Sequence, residues 1–174
     1  VYCEFGEVGT FINGKKYGLH REYFSNGQLW LEETYKDTKL KVGDDSGNTK
    51  YCFPSSTTYN LRLIGTQKFW YRNGQLKYET NIKNGFENGR SRVWYENGQL
   101  KEEYHKKNGK SIGISRGWKE DGQLSWETKH EIIDGCPEQI WFKSYDSNGN
   151  FTIDYIYKDT TKYIMKDGKM IPIH

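Results

Sequence analysis

The tetrapeptide Asn/Asp-Gly-Gln-Leu occurs four times in this chain, each time behind a large ring: YFSNGQL (23–29), WYRNGQL (70–76), WYENGQL (94–100) and WKEDGQL (118–124). A looser copy, DSNGNF, carries Gly149. The glycines Gly27, Gly74, Gly98, Gly122 and Gly149 are separated by 47, 24, 24 and 27 residues. Because 47 is close to two units, the spacing predicts a worn copy between the first two, with Gly47 as its candidate glycine. Fixed self-similarity at such a period excludes an ordinary folded core. Each unit is too small to bury its own faces, so neighbours must stack into an array.

Asn-Gly between alternating segments is the strongest short signal for a β-hairpin, because a type I′ turn needs positive φ at both central residues. The reading is therefore one hairpin per copy, with a two-residue tip at Asn-Gly. A second glycine falls nine residues before the tip (Gly18, Gly65, Gly89, Gly113), and in three copies an Asn-Gly pair lies four residues earlier still (Asn13-Gly14, Asn84-Gly85, Asn108-Gly109). Those second turns connect one hairpin to the next. In this register the residue six before each glycine faces the residue five after it. The pairs are Arg21–Glu32, Lys68–Glu79, Arg92–Glu103, Arg116–Glu127 and Lys143–Asp154, all of opposite charge.

On the face of those charges, four residues before each tip, stand Tyr23, Trp70, Trp94, Trp118 and Tyr145. The same register puts Leu29, Leu76, Leu100, Leu124 and Phe151 on the other face, the first three opposite Phe24, Tyr71 and Tyr95. The expected fold is all-β: an elongated single sheet of about six tandem stacked hairpins forming one repeat domain. Its units run approximately over 9–35, 36–63 (degenerate), 64–84, 85–108, 109–134 and 135–157, with a terminal hairpin over 158–174 turning at Asp167-Gly168. The stretch 44–63, with CFPSSTTYN, departs from the unit, and 131–137 is a stretched copy.

Composition agrees with strands and tight turns. Apolar residues make up only 34% of the 174 positions, yet aromatics reach 16% and there are 19 glycines, which is neither the profile of disorder nor that of a helical bundle. The 26 basic and 23 acidic residues are spread along the chain for a net charge of +3, so no block of one sign points to nucleic acid or an anionic membrane. No apolar run approaches the roughly 20 residues that span a bilayer. The chain starts at Val1 without methionine, so a removed leader or a longer N-terminal part is expected to leave a secreted or cell-envelope location open. Cys3, Cys52 and Cys136 are odd in number and widely spaced. They read as free thiols, which favours the cytoplasm.

The unit G-x₃-[FVG]-[WY]-[YFK]-x-[ND]-G-Q-L-x₂-E, followed by an NGK-type turn, resembles the MORN-variant repeat. Arrays of it are found in bacterial proteins labelled YwqK-family antitoxins. The resemblance covers 9–35 and 65–130 well and 138–157 loosely. It implies a hairpin array and a non-enzymatic binding class, associated with protein binding, scaffolding and sometimes phospholipid contact.

The residues themselves offer no catalytic constellation. His20, His105, His130 and His174 sit in no metal-ligand spacing, the Asn-Gly turns lead into strands rather than a phosphate-binding helix, and no GxSxG elbow occurs. Each repeat glutamate faces a cation, which lowers a carboxyl pKa, the wrong direction for a general acid. His130 near Cys136 lacks a nucleophile's context. The expectation is a protein-binding or scaffold module without metal or cofactor. Its candidate site is the ring ladder Tyr23, Trp70, Trp94, Trp118 and Tyr145 with Arg21, Arg92 and Arg116, residue types enriched in binding hot spots. The competing reading of the same rings is packing, with the arginines covering them by cation–π contact. The partner expected is another protein, with nucleic acid and membrane disfavoured and open end strands allowing a homodimer. The rival functions are a carbohydrate or cell-wall ligand module, since Gly117-Trp118 and the tandem aromatic hairpins also resemble choline-binding wall repeats, and a phospholipid-binding array.

Overall fold

The computed structural model describes residues 6–36, 63–158, 161–166 and 169–173. The candidate glycine Gly47, most of the irregular stretch 44–63, Cys3, Cys52, His174 and the turn Asp167-Gly168 lie outside the described residues.

The fold is all-β, one open antiparallel sheet of stacked hairpins. Its strands are β1 (Gly6–Ile12), β2 (Lys15–Tyr23), β3 (Leu29–Tyr35), β4 (Leu63–Trp70), β5 (Leu76–Lys83), β6 (Phe86–Glu87), β7 (Gly89–Trp94), β8 (Leu100–Lys107), β9 (Lys110–Ser111), β10 (Gly113–Trp118), β11 (Leu124–Ile133), β12 (Cys136–Tyr145), β13 (Phe151–Lys158), β14 (Thr161–Lys166) and β15 (Lys169–Ile173). They pair in chain order, with the two-residue strands β6 and β9 continuing β7 and β10 along β5 and β8. β3 pairs directly with β4, so the hairpins turning at Gly27 and Gly74 are adjacent in the sheet despite their 47-residue separation.

The tips depart from the expected turn. In each unit the residue three before the glycine both accepts from the glycine N–H and donates to the carbonyl one residue beyond it, as in Gly98 N→Tyr95 O at 3.0 Å and Tyr95 N→Gln99 O at 2.8 Å. Among the tip residues only glycine has positive φ, +87° at Gly98. The tip is therefore a three-residue loop, a type I turn closed by a left-handed glycine. The true two-residue type I′ turns are the connectors, where Asn84 (φ 53°) and Gly85 (φ 78°) are both positive, as are Asn13-Gly14, Asn108-Gly109 and Asp134-Gly135.

The longer loop shifts the pairing by one residue, so Leu29 faces Tyr23 rather than Phe24, Leu76 faces Trp70 and Leu100 faces Trp94. A β-bulge at the next residue then shifts it back. The expected charge pairs accordingly stand in register in all five hairpins. The leucines, expected on the opposite face, stand between the ladder rings.

Every buried residue described lies on the face opposite the ladder. His20, Thr80, Ser91 and Ser115 are at most 1% exposed, and Leu31, Glu33, Tyr35, Ile82 and Thr128 are also buried. In a one-layer sheet no second layer covers the middle of the strands, so the side chains buried there are covered by neighbours on the same face. Some of the buried oxygens are satisfied between units: Thr80 Oγ1 and Ser91 Oγ lie 2.6 Å apart, and Gln67 donates to Glu33 at 2.9 Å, as buried polar groups generally require, whereas Ser115 Oγ has no hydrogen-bond partner among the described residues. Gly117 is buried because the Trp126 indole lies directly on it, and the His20 ring lies against one side of Gly9, which is otherwise exposed.

Cys136 is disulfide-bonded, which corrects the expectation of a free thiol. The argument for a cytoplasmic location from unpaired cysteines falls with it. Spacing could not reveal the bond, because stacking brings residues distant in sequence into contact.

Candidate functional site

The ladder face carries two rows across the strands, both fixed by register. The first alternates ring and leucine: Tyr23, Leu29, Trp70, Leu76, Trp94, Leu100, Trp118, Leu124, Tyr145. Directly opposed residues share a face, so each pair Tyr23–Leu29, Trp70–Leu76, Trp94–Leu100 and Trp118–Leu124 stands side by side. All nine are half-buried.

The second row, one pair further from the tips, alternates in charge without a break. From Arg21 it runs through Glu32, Lys68, Glu79, Arg92, Glu103, Arg116, Glu127 and Lys143 to Asp154, each residue paired in register with the next. Sequence reading found the pairs within hairpins; the sheet supplies those between them. Arg21 Nε reaches Glu32 at 2.8 Å and Arg116 Nε reaches Glu127 at 2.7 Å, while Arg92 spans two units, 3.5 Å from Glu103 and 3.9 Å from Glu79. The cations are thus engaged along the row. Among the described residues no cation–π contact involves the rings of Tyr23, Trp70, Trp94 or Trp118, so arginines do not cover them. The cation–π contacts fall on other rings, such as Lys77 on Tyr71 and Lys101 on Tyr95. Tyr145 differs from the other ladder rings, its hydroxyl donating to Glu127 at 2.8 Å.

Ring contacts make a similar distinction: on the opposite face Trp126, itself without a protein acceptor among the described residues, packs against Tyr104 at 6.2 Å. Trp30, on the opposite face, donates to Glu22 at 3.3 Å and packs against Phe69 at 5.3 Å. Trp70, Trp94 and Trp118 have no protein acceptor and no ring partner among the described residues. They are large, half-exposed and uncommitted.

What holds them at a constant interval is the tip sequence. Asn73 Oδ1 accepts from Gln75 N at 2.9 Å, closing its own turn, while Asn73 Nδ2 donates to Glu96 O of the next unit at 2.8 Å. Asn26 and Asn97 repeat both contacts. Tyr71 and Tyr95 donate to the carbonyls of Trp94 and Trp118, each at 2.8 Å. Gln28 and Gln75 rest against Gly74 and Gly98 of the following tips, where an added Cβ would lie 3.1 Å from the amide oxygen. In the fourth unit Asp121 keeps the turn bond but has no amide to donate. Lys119, replacing the tyrosine, instead reaches Asp146 O at 3.0 Å. Asn73→Asp should therefore cost about 1–2 kcal/mol by setting a carboxylate against the Glu96 carbonyl. Asp121→Asn should stay within about 0.5 kcal/mol, the usual range for surface changes, and the urea midpoints of the two variants check the contrast.

The geometry is poorly suited to acid–base chemistry. Burial pushes Glu127 up, but the hydrogen bonds from Arg116 and Tyr145 outweigh it and hold the carboxyl below its ordinary value. Burial, helped by Lys106, lowers His130, whose Nδ1 has no partner. No group of three His, Cys, Asp or Glu residues able to hold a metal occurs among the described residues. A depression of about 290 Å³ at the connector end of the hairpins is lined by Lys107, Asn108, Lys110, Ile132 and Gly135, a set with two lysines and no carboxylate, histidine or cysteine.

With a hairpin, a tip and an inter-unit tie recurring at fixed spacing, the repeats can be compared with known ones. Residues 16–37, 63–84 and 87–108 match the MORN repeat variant. The MORN-variant matches coincide with three hairpins of the ladder, and the hairpin turning at Gly122 repeats their tip bonds and register. MORN repeats are in general binding or scaffold modules rather than enzymes. No curated protein matches the chain. A crystal structure of a GtfA/B complex bound to UDP and GlcNAc is similar at 9% identity and a TM-score of 0.28. The likeness covers 75% of this chain and 27% of that one, and at that score it carries no argument.

Proposed function

We propose that the protein is a binding module whose ladder face receives another protein, with Trp70, Trp94 and Trp118 as the anchors. The observation that carries this reading is the isolation of these three indoles. Rings elsewhere pack on one another or carry cations, as Trp30 packs on Phe69 and Trp141 carries Lys143, whereas among the described residues these three indoles have neither ring, cation nor acceptor. Tryptophan dominates hot spots because a large ring is desolvated on contact and its N–H fixes orientation. Arg21, Arg92 and Arg116 border the site, but their ion pairs assign them to keeping the rim neutral. Neutralising a toxin would be one special case of such binding, resting on the YwqK resemblance alone.

The test is affinity capture with the wild-type chain and with Trp94→Ala/Trp118→Ala. Hot-spot truncations each cost about 2 kcal/mol or more, so the double variant should weaken capture of a specific partner at least a hundredfold while strand circular dichroism is kept. Equal capture by both forms would overturn the ladder as the site. Binding of an oligosaccharide or of choline that quenches the indoles would transfer the same rings to a wall-ligand function.

A further inference from the structure

The intervals of the ring row restrict what shape of polypeptide can engage it. Trp70, Trp94 and Trp118 recur every second strand of the main sheet path, because each unit contributes two. Neighbouring strands lie about 4.8 Å apart, so the rings repeat every ~9.6 Å. An α-helix laid along the row presents the same side every 5.4 Å, so that two turns overshoot by about 1.2 Å per ring. An extended strand returns to one face every second residue, about 6.6 Å, or every fourth, about 13 Å, and matches neither way. A polyproline II segment has three residues per turn and a rise of 3.1 Å, returning to the same face every ~9.3 Å. It stays in step with three successive rings to within about 0.6 Å. It also has no internal hydrogen bonds, so it can wind with the twist of the sheet.

The chemistry of the row fits the same occupant. A polyproline II backbone leaves its carbonyls unpaired, and the indole N–H groups of Trp70, Trp94 and Trp118 are donors without a protein acceptor among the described residues. Proline rings pack against the half-exposed indoles, with Leu76 and Leu100 forming the floor between them. Charge agrees: each of Lys68, Glu79, Arg92, Glu103 and Arg116 is flanked on both sides by opposite charges, so the complementary segment is uncharged. We infer that the ladder face docks a proline-rich segment in polyproline II conformation, with every third residue facing an indole. The inference rests on the ladder face being the binding surface and specifies the class of its partner.

The experiment is a titration of the whole chain, followed by tryptophan emission, with a capped peptide of four Ala-Pro-Pro triplets. Parallel titrations use a capped helical Ala/Glu/Lys peptide of equal length and a β-1,4-linked N-acetylglucosamine hexamer. The expected result is a saturable emission change with the proline-rich peptide only. Binding should be at least tenfold weaker for two triplets, which reach only two rings, and at least tenfold weaker for Trp94→Ala. Trp94→Phe, which keeps the fold and a ring but removes the donor, should weaken it several-fold, and Trp30→Phe on the opposite face should leave it unchanged. If the helical peptide or the sugar gives the Trp94-dependent response instead, the polyproline inference is overturned and the ladder remains a site. If no probe perturbs the indoles, the inference is overturned and the ladder is judged by partner capture with the double variant.

Discussion

Gly117→Ala should lower the stability of the array by about 3 kcal/mol, the upper part of the range for overpacking, although it adds a single methyl group. Its Cβ would lie 2.1 Å from Nε1, 2.3 Å from Cε2 and 2.8 Å from Cζ2 of Trp126. A rigid indole cannot flex away as the end of a lysine can. Gly117 sits on β10 with paired strands on both sides, and its φ is not in the left-handed region, so the cost is steric and not conformational. The ring must lift, and its packing against Tyr104 at 6.2 Å goes with it. Urea unfolding of Gly117→Ala, Trp126→Leu and the double variant measures this. Once the indole is gone the methyl group should be nearly neutral, giving a coupling of about 2 kcal/mol or more. Additive costs would show that the indole does not occupy the glycine's space.

His20→Ala should cost about 3 kcal/mol, and locally. The imidazole is 1% exposed, lies on Gly9, meets Phe11 edge-on at 5.0 Å and Tyr35 at 5.4 Å, and bonds Glu7 at 3.1 Å and Thr10 O at 2.8 Å. Truncation therefore leaves a cavity and unpartnered polar atoms together. In a repeat array each unit is stabilised by its own contacts and those of its neighbours. Amide exchange should thus rise in β1 and β2 and stay unchanged from β7 onward. A uniform rise along the chain would mean that the array unfolds as one cooperative block, contrary to this expectation.

The fold was largely legible because its determinants are local and recur. Glycine at each tip and the charges six before and five after it are set by turn chemistry and strand alternation, which need no knowledge of neighbours. The register came out right although the loop was misjudged: the third loop residue moves the pairing by one, and the bulge at Trp30, Lys77 or Lys101 moves it back. Between those two compensating steps lies an interval where the pairing differs from the expected one, and it carries Leu29, Leu76 and Leu100 onto the ladder face. A signal was available, since a ring three before the glycine suits the first position of a type I turn closed by a left-handed glycine, but Asn-Gly by itself favours the shorter loop.

The small polar residues at the heart of the sheet were not legible. Ser91 and Ser115 each stand seven before a tip glycine and Thr80 and Thr128 six after one, yet serine and threonine carry no hydrophobic mark. Their burial comes from the unit beside them. The same holds for Gln28 over Gly74, for Tyr71 and Tyr95 bonded to the next unit's carbonyls, and for the charge contacts between hairpins. Each depends on which hairpin lies next, and sequence order alone does not state a distance.

The sequence by itself therefore determined the hairpin, its period, the alternation of charge within each unit and the ring in front of each tip, because those follow from backbone geometry over about ten residues. Stacking decided the rest. Only the assembled sheet joins separate charge pairs into one neutral row, withdraws cation and ring partners from Trp70, Trp94 and Trp118, and spaces those indoles by two strand widths. That spacing belongs to the ladder of hydrogen bonds between strands and is a property of no single unit.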